Sequence, residues 1–199
     1  MFADQALKKI IENPDIKTIL DIGAGNCMHS NRFAGAGKKV TALDHRLDPG
    51  ADCRITYIRG MFENFPHYEF YDCIWAAHVI EHTLDPHSFL LKMVKLCKEG
   101  GTIAITFPPM KQQIVGGHIN LFNPGIILYR MVLAGLDCSK AQIKEYGYNI
   151  SIIVQKVSHN SSFWTDLKFD SGDIEVLSDY LPVGYNTQGF NGDIKEHNW

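Results

Sequence analysis

Five short apolar runs, separated by stretches of helical spacing, constrain this chain more than any other feature. They fall at residues 17–22, 39–44, 55–58, 71–75 and 102–106. Their apolar character is continuous rather than alternating, as expected of strands covered on both faces. Between and before them the spacing predicts helices. Residues 3–12 place Ala6, Leu7, Ile10 and Ile11 on one side and stop at Asn13-Pro14. Residues 27–36 predict a second helix. Asp85-Pro86 opens a third, which runs to about Lys98 and is closed by Glu99-Gly100-Gly101. The proline sits in the first turn, where its missing N–H costs nothing. Pro108-Pro109 ends the fifth strand, Asn123-Pro124 starts a helix to about Ala134, and residues 140–146 and 149–157 add two strands joined at Gly147. The expectation is an α/β fold with a doubly wound, seven-stranded, mostly parallel sheet.

Residues 1–157 read as the main domain. Residues 158–199 are rich in Asn, Ser, Gly and Asp, with one helix expected at 173–180. They read as a short C-terminal appendage or lid of the same domain, with Trp164, Phe169 and Trp199 packing it down. The tail holds two Lys against seven Asp and Glu, whereas residues 1–157 hold 17 basic against 15 acidic. No basic patch is visible, so a nucleic acid is not the expected partner. An apolar fraction of 45% with 21% charged residues excludes wholesale disorder. No stretch approaches the roughly 18 apolar residues of a membrane span, and the first residues lack the basic and apolar regions of a signal peptide. Five scattered cysteines (27, 53, 73, 97 and 138) without a CxxC pattern fit reduced thiols in a cytoplasmic setting.

The chemistry starts at Ile19-Leu20-Asp21-Ile22-Gly23-Ala24-Gly25-Asn26. Two glycines spaced by one residue let the backbone turn tightly and pass close to a ligand. Asp44 lies 21 residues beyond Gly23, at the end of the next strand. A carboxylate there can accept both hydroxyls of an adenosine ribose. Two cofactors share this geometry. A nicotinamide site wants a third glycine at position 28, which is Met. S-adenosylmethionine has no phosphates, and its amino-acid end calls for an acid at the end of strand one, as Asp21 provides.

With these residues in view, the stretch from about 17 to 107 resembles the class I S-adenosylmethionine-dependent methyltransferases of the small-molecule type. The family's Asp/Glu-x-Gly-x-Gly-x-Gly motif matches Asp21, Gly23 and Gly25, and departs at Cys27. Its acid after strand two matches Asp44. The run Tyr71-Asp72-Cys73-Ile74-Trp75-Ala76-Ala77-His78-Val79-Ile80-Glu81-His82, with Asp85-Pro86 and Glu99-Gly100-Gly101, is similar to the family's fourth and fifth strands and the helix between them. The resemblance implies a Rossmann-like fold, S-adenosylmethionine as cofactor, and Asp21, Gly23, Gly25, Asp44, Met61, Phe62 and Ala77 around it. Family members often have an acid touching adenine after strand three. Here Gly60-Met61-Phe62 stands there, so adenine would rest on apolar contacts. The implied reaction is direct methyl transfer to a hydroxyl or amine of a small molecule. The rival readings are a nicotinamide-dependent reductase and a non-catalytic S-adenosylmethionine-binding subunit.

A second cluster follows strand four: His78, Glu81 and His82, with His118 in Gly116-Gly117-His118. On a helical turn, 78, 81 and 82 share a face. Imidazole titrates near neutrality, so His82 and His118 are candidate acid/base groups. Ubiquinone-pathway O-methyltransferases and small-RNA 2′-O-methyltransferases resemble the chain here: they carry Glu-x-x-Glu-His with a metal, and the RNA enzymes add a later His. That resemblance implies a divalent ion held by His78, Glu81, His82 and His118. His78 in place of a glutamate shifts the preference from Mg²⁺ towards Mn²⁺, Fe²⁺ or Zn²⁺. The competing reading is a set of pocket-wall histidines without metal. Phe62, Phe65, Pro66 and Tyr68 are expected to cover the cofactor, and Arg46, Arg54 and Arg59 to be solvated. The ending 189–199 resembles those of methyltransferases of bacterial surface-glycan pathways, so a sugar or surface-glycan precursor is the expected acceptor.

Overall fold

The computed structural model describes residues 2–47, 52–66, 70–111, 113, 115–157 and 163–199. Tyr68 and the expected junction at 158 lie outside them. The sheet runs in the order β3-β2-β1-β4-β5-β7-β6-β8. Its parallel part is β1 (Thr18–Ile22), β2 (Lys39–Asp44), β3 (Ile55–Arg59), β4 (Tyr71–Ala77) and β5 (Cys97–Phe107). The antiparallel edge is β6 (Gln142–Tyr146), β7 (Asn149–Gln155) and β8 (Glu196–His197). Strand order reverses between β1 and β4, the place where open sheets of this kind form a ligand crevice at their carboxyl ends.

Both faces are buried, as the continuous apolar runs require. Leu20, Ile22, Leu43, Ile74, Ile103 and Ile105 pack with α3 (Pro86–Leu96) and α4 (Pro124–Leu133). Ile19, Val40, Ala42, Cys73, Trp75 and Ala104 pack on the other side with α1 (Asp4–Glu12) and α2 (Met28–Gly35). None of the five cysteines is joined in a disulfide. Among the described residues no helix is long and apolar enough to cross a membrane.

The sheet has eight strands rather than the seven expected. β8 is only two residues long and has no apolar run to announce it. It forms by backbone pairing along β6 and is flanked by the ion pairs Lys144–Glu196 (3.0 Å) and Lys195–Glu145 (2.6 Å). The third helix also ends earlier than expected. It stops at Leu96, and Cys97 already pairs with Tyr71 in β5. Lys156 Nζ donates to the carbonyls of Val94 and Cys97, at the end of that helix. Gly101 is a glycine for want of room. A Cβ there would lie 2.9 Å from Cys97 Sγ and 3.0 Å from the Asp72 carbonyl.

The tail is folded onto α4 and β6. Its expected single helix is split into α5 (Asp173–Val176) and a 3₁₀ turn at Ser178–Tyr180. Leu177, Leu181 and Ile194 are buried in the α3/α4 core. Asn123 caps α4 through Ile126 N–H and donates to the Asn191 carbonyl, while Gly125 N–H donates to the Gly192 carbonyl. The backbones touch here, since a Cβ on Gly125 would fall 2.6 Å from Gly192 Cα. Trp199 lies under Lys9 Nζ at 4.8 Å. Phe169, expected to pack the tail, is 83% exposed instead, because the buried Asp173 carboxylate holds the N–H groups of Lys168 and Phe169 and turns the ring outward.

Asp72 ties the starts of β1 and β4 together. Its Oδ2 accepts from Lys17 N–H, Thr18 N–H and Thr18 Oγ1, and its Oδ1 takes Lys98 Nζ at 2.6 Å. Burial alone would raise its pKa. The Lys98 ammonium and the β1 donors outweigh that and hold the carboxyl down to about 2. A depressed folded-state pKa stabilises the fold above the unfolded value, and that stability is lost as pH falls through the window from about 4 to about 2. In denaturant titrations Asp72→Asn is expected to cost about 1.5–3 kcal/mol at pH 7. It should also show a shallower loss than wild type between pH 4 and pH 2.

Candidate active site

A cleft of about 810 Å³ opens at the carboxyl ends of β1, β2 and β4. The structure brings Gly23, Asp44, Met61, Phe62, His78 and His82 to its wall. The β1–α2 turn is pinned from the neighbouring strand: Gly23 N–H and Ala24 N–H both donate to the Leu43 carbonyl, at 2.8 and 3.1 Å. Gly25 N–H donates to Asp44 Oδ2 at 3.0 Å. Gly23 has φ +72°, and a Cβ there would sit 2.3 Å from Val79 Cγ2, so both its backbone and its missing side chain are required. Gly25 has φ +54° with open space beside it.

Cys27, where the family motif has its third glycine, answers that departure in its backbone. It is left-handed at φ +60° and buried. The cysteine adopts the conformation a glycine would, at a cost of about 1–2 kcal/mol. Asp21 does not line the cleft. Its side chain points to the other face of β1, buried, and accepts from Ser30 Oγ at 2.5 Å. Burial pushes its pKa up to about 7 against the lowering effect of Ser30. Ala77 ends β4 and packs towards the α1/α2 side.

Asp44 stands at the cleft wall with both carboxylate oxygens engaged. Its Oδ1 accepts Arg46 N–H at 2.7 Å and lies 3.2 Å from His45 Nδ1, while Oδ2 holds the glycine turn. Met61 is half exposed on the rim, and Phe62 is buried with its ring 5.0 Å from Phe89. Arg54 pairs with Asp52, and Arg59 donates to the Leu47 carbonyl, so neither is committed to the cleft. Sequence spacing did not single out Lys92 or Val79. Lys92 reaches across to the Glu63 carbonyl at 2.8 Å and lies 5.2 Å from the Phe62 ring centre; burial lowers its pKa. It shares a face of α3 with Asp85, Ser88 and Phe89, a helical spacing that could have flagged it.

The second cluster is built differently from the expected helical face. His78 stands alone in a left-handed conformation, φ +56°, before a single 3₁₀ turn, Ile80–His82. Glu81, His82 and His118 form the close set, with one ligand atom from each lying within 4.8 Å of the others. His78, expected as a fourth ligand, is outside that set. Its Nδ1 is 3.3 Å from Glu81 Oε1, and its Nε2 is turned to Asn149. Burial opposes the charge on His78, but Glu81 and Asn149 outweigh it and raise its pKa.

Glu81 is 1% exposed, and neither carboxylate oxygen has a well-aligned hydrogen bond. An unpartnered buried carboxylate is costly, so the site is built to receive a charge or a donor. Glu81 and His118 border a small cavity of about 10 Å³, near the room of one water. His82 Nδ1 lies 2.5 Å from the Gly117 carbonyl, which fixes the proton on Nδ1 and leaves Nε2 free. The rings of His82 and His118 meet edge to face at 5.0 Å.

Comparison with known proteins agrees with this geometry. Residues 20–105 match the methyltransferase domain family. Two curated relatives are the ubiquinone biosynthesis O-methyltransferases of Proteus mirabilis, 32% identical over 100 residues (44% of this chain, 40% of that protein), and of Hydrogenovibrio crunogenus, 33% over 104 residues (47% and 42%). The chain thus spans about two fifths of the length of these relatives. Among solved structures, an Aquifex aeolicus S-adenosylmethionine-dependent methyltransferase superposes with a TM-score of 0.62 at 16% identity, covering 78% of this chain and 90% of that one. The Burkholderia thailandensis 1,6-didemethyltoxoflavin-N1-methyltransferase, solved with 1,6-didemethyltoxoflavin and S-adenosylhomocysteine, gives 0.61 at 13% identity, covering 77% of each chain. Residues 20–105 are thus similar in sequence to the methyltransferase domain family, and the chain shares its fold, with the glycine turn at the β1–β4 switch point, with solved S-adenosylmethionine-dependent methyltransferases.

Proposed function

We propose that this chain transfers a methyl group from S-adenosylmethionine to a hydroxyl or amine of a small molecule. The observation that carries the reading is the cleft in which Gly23, Asp44 and Phe62 converge with His82. Its volume suits a nucleoside-sized ligand. When bound, S-adenosylmethionine supplies an electrophilic methyl group on a sulfonium. The glycine turn, with Asp21 beneath it, takes the methionine end. Asp44 accepts from the ribose hydroxyls. Met61 and Phe62 give adenine its apolar wall, and Ala77 closes the end of β4. His82, whose free Nε2 lies beside the cleft, receives the proton of the acceptor, with His118 as the second candidate base. Orienting the two substrates in one cleft supplies much of the acceleration, about 7–11 kcal/mol in well-oriented model reactions.

The curated relatives, which are O-methyltransferases, support oxygen as the acceptor atom, and a structural neighbour that methylates nitrogen, solved with a small heterocycle, supports only a small-molecule carrier. A sugar or surface-glycan precursor remains the finer reading. The close set of one carboxylate and two imidazoles fits a divalent ion, and the unpartnered Glu81 oxygens support it. As an alternative to His82 and His118 acting as bases, Glu81, His82 and His118 would hold Mn²⁺, Fe²⁺ or Zn²⁺; the histidines would then be ligands, and the metal would lower the pKa of an acceptor hydroxyl whose proton is lost to solvent.

Four measurements test these assignments. S-adenosylhomocysteine at about 100 times its Kd should raise the melting temperature by about 5–11 °C. NAD should not, and the opposite result would favour the reductase. By calorimetry, Asp44→Ala should weaken S-adenosylmethionine binding by about 1.5–3 kcal/mol, and unchanged affinity in a folded variant would remove Asp44 from the site. An anomalous-scattering map of protein grown with Mn²⁺ should show a peak at Glu81, His82 and His118 that Glu81→Gln abolishes. Absence of the wild-type peak would end the metal assignment and leave the two histidines as acid/base groups. Cofactor binding without turnover over a broad panel of hydroxyl and amine acceptors would point to a non-catalytic subunit.

A further inference from the structure

β7 begins with a buried amide. Asn149 is buried at 6% exposure, and its amide orientation is fixed by two backbone groups that can each play only one role. Ala3 N–H donates to Oδ1 at 3.1 Å, and Nδ2 donates to the Tyr146 carbonyl at 3.2 Å. The same Oδ1 lies 3.0 Å from His78 Nε2. An amide oxygen only accepts, so Nε2 carries its proton whatever the charge of the ring.

The His78 ring is also confined on its faces. Phe2 packs against it with ring centres 4.7 Å apart, and Tyr148 is stacked at 6.3 Å with 9° between the planes. Lys111 Nζ sits 4.5 Å from the Tyr148 ring centre. With Nε2 committed to Asn149, Nδ1 is left facing Glu81 Oε1 at 3.3 Å. Glu81 therefore stands between two imidazoles, His78 on one side and His82 Nε2 at 3.9 Å on the other.

We propose that Asn149 is a positioning residue of the active site: it locks the His78 ring with Nε2 turned away from the cluster and Nδ1 facing Glu81, and so fixes the wall against which the Glu81 carboxylate lies opposite His82 and His118. The proposal rests on the reading that Glu81, His82 and His118 form the reacting end of the cleft. Outer partners of this kind commonly change metal affinity or activity about 10–100-fold when removed, because they orient the groups that do the binding.

Long-range ¹H–¹⁵N spectra of the full chain with ¹⁵N-histidine test the arrangement directly, with His78→Gln used to assign the ring. Wild type should show His78 protonated at Nε2, and a ring lacking that proton would overturn the proposal without any variant. Asn149→Leu should lose the protected Nε2 proton, and Asn149→Asp, which still offers an accepting oxygen, should keep it. Calorimetry with Mn²⁺ on the same proteins should show binding about 10–100-fold weaker in Asn149→Leu and substantially restored in Asn149→Asp. Equal Mn²⁺ affinity in wild type and folded Asn149→Leu would overturn the positioning role. If Asn149→Leu does not fold, the contrast of wild type with Asn149→Ser serves in its place. A wild type that shows the Asn149-dependent Nε2 proton but takes up no Mn²⁺ would remove the metal reading and leave the positioning of His78 standing.

Discussion

The site depends on one backbone fastening, the attachment of the β1–α2 turn to the end of β2. Three consecutive N–H groups, from Gly23 to Gly25, are spent on Leu43 and Asp44 rather than on the turn itself. The turn is therefore set by the neighbouring strand, and Asp44 acquires two duties. It holds the glycine loop with one oxygen and faces the cleft with the carboxylate it shares. Val79 completes the arrangement by filling the space where a Gly23 side chain would stand. The first β-strand, the second and the loop after the fourth are thus coupled through a volume of one methyl group. Removing any of the three contacts would be felt by the others, because buried N–H groups without partners are costly.

The two ends of the cleft are governed by different physics. At the Met61 end the wall is apolar and adjustable, with Met61 half exposed and Phe62 resting on Phe89. At the histidine end the wall is polar and over-determined. His82 is fixed by the Gly117 carbonyl, His78 by Asn149, and Glu81 is buried between them. One wall can therefore adapt in shape while the other holds its polar groups in fixed positions.

Much of this was legible in the sequence. The limits of β2 and the parallel order followed from unbroken apolar runs, since only strands covered on both faces carry them. Gly23 and Asp44 were singled out by the spacing of a strand-turn-helix-strand unit, whereas Met61 and Phe62 came only through the family resemblance. What escaped was non-local. β8 pairs through backbone atoms, so Glu196 and His197 give no apolar signal. The glycines at 100 and 101 looked like a helix stop, whereas Gly101 is dictated by crowding from Cys97 and Asp72. The helical face expected for His78, Glu81 and His82 failed because one left-handed residue resets the direction of the chain, and histidine carries no local mark of that conformation. Asn149 had only its polarity at the head of a largely apolar strand to distinguish it.

The junction of α3 and β5 has a further consequence. Leu96 is the last residue of the helix and Cys97 the first of the strand, with no connecting loop between them. One face of α3 carries Asp85, Ser88, Phe89 and Lys92 to the cleft, and the other is sunk in the core. An α-helix turns roughly 100° per residue. The register slips just beyond this joint: Tyr71 pairs with Cys97 and Cys73 with Thr102, so five steps along β5 answer two along β4. Without that slack, one residue gained or lost at the joint would swing the cleft-lining face out of alignment with the strand that anchors it. The bulge at residues 98–101, at the end of β5 away from the cleft, is where the fold can absorb such a change without moving the wall that Lys92 belongs to.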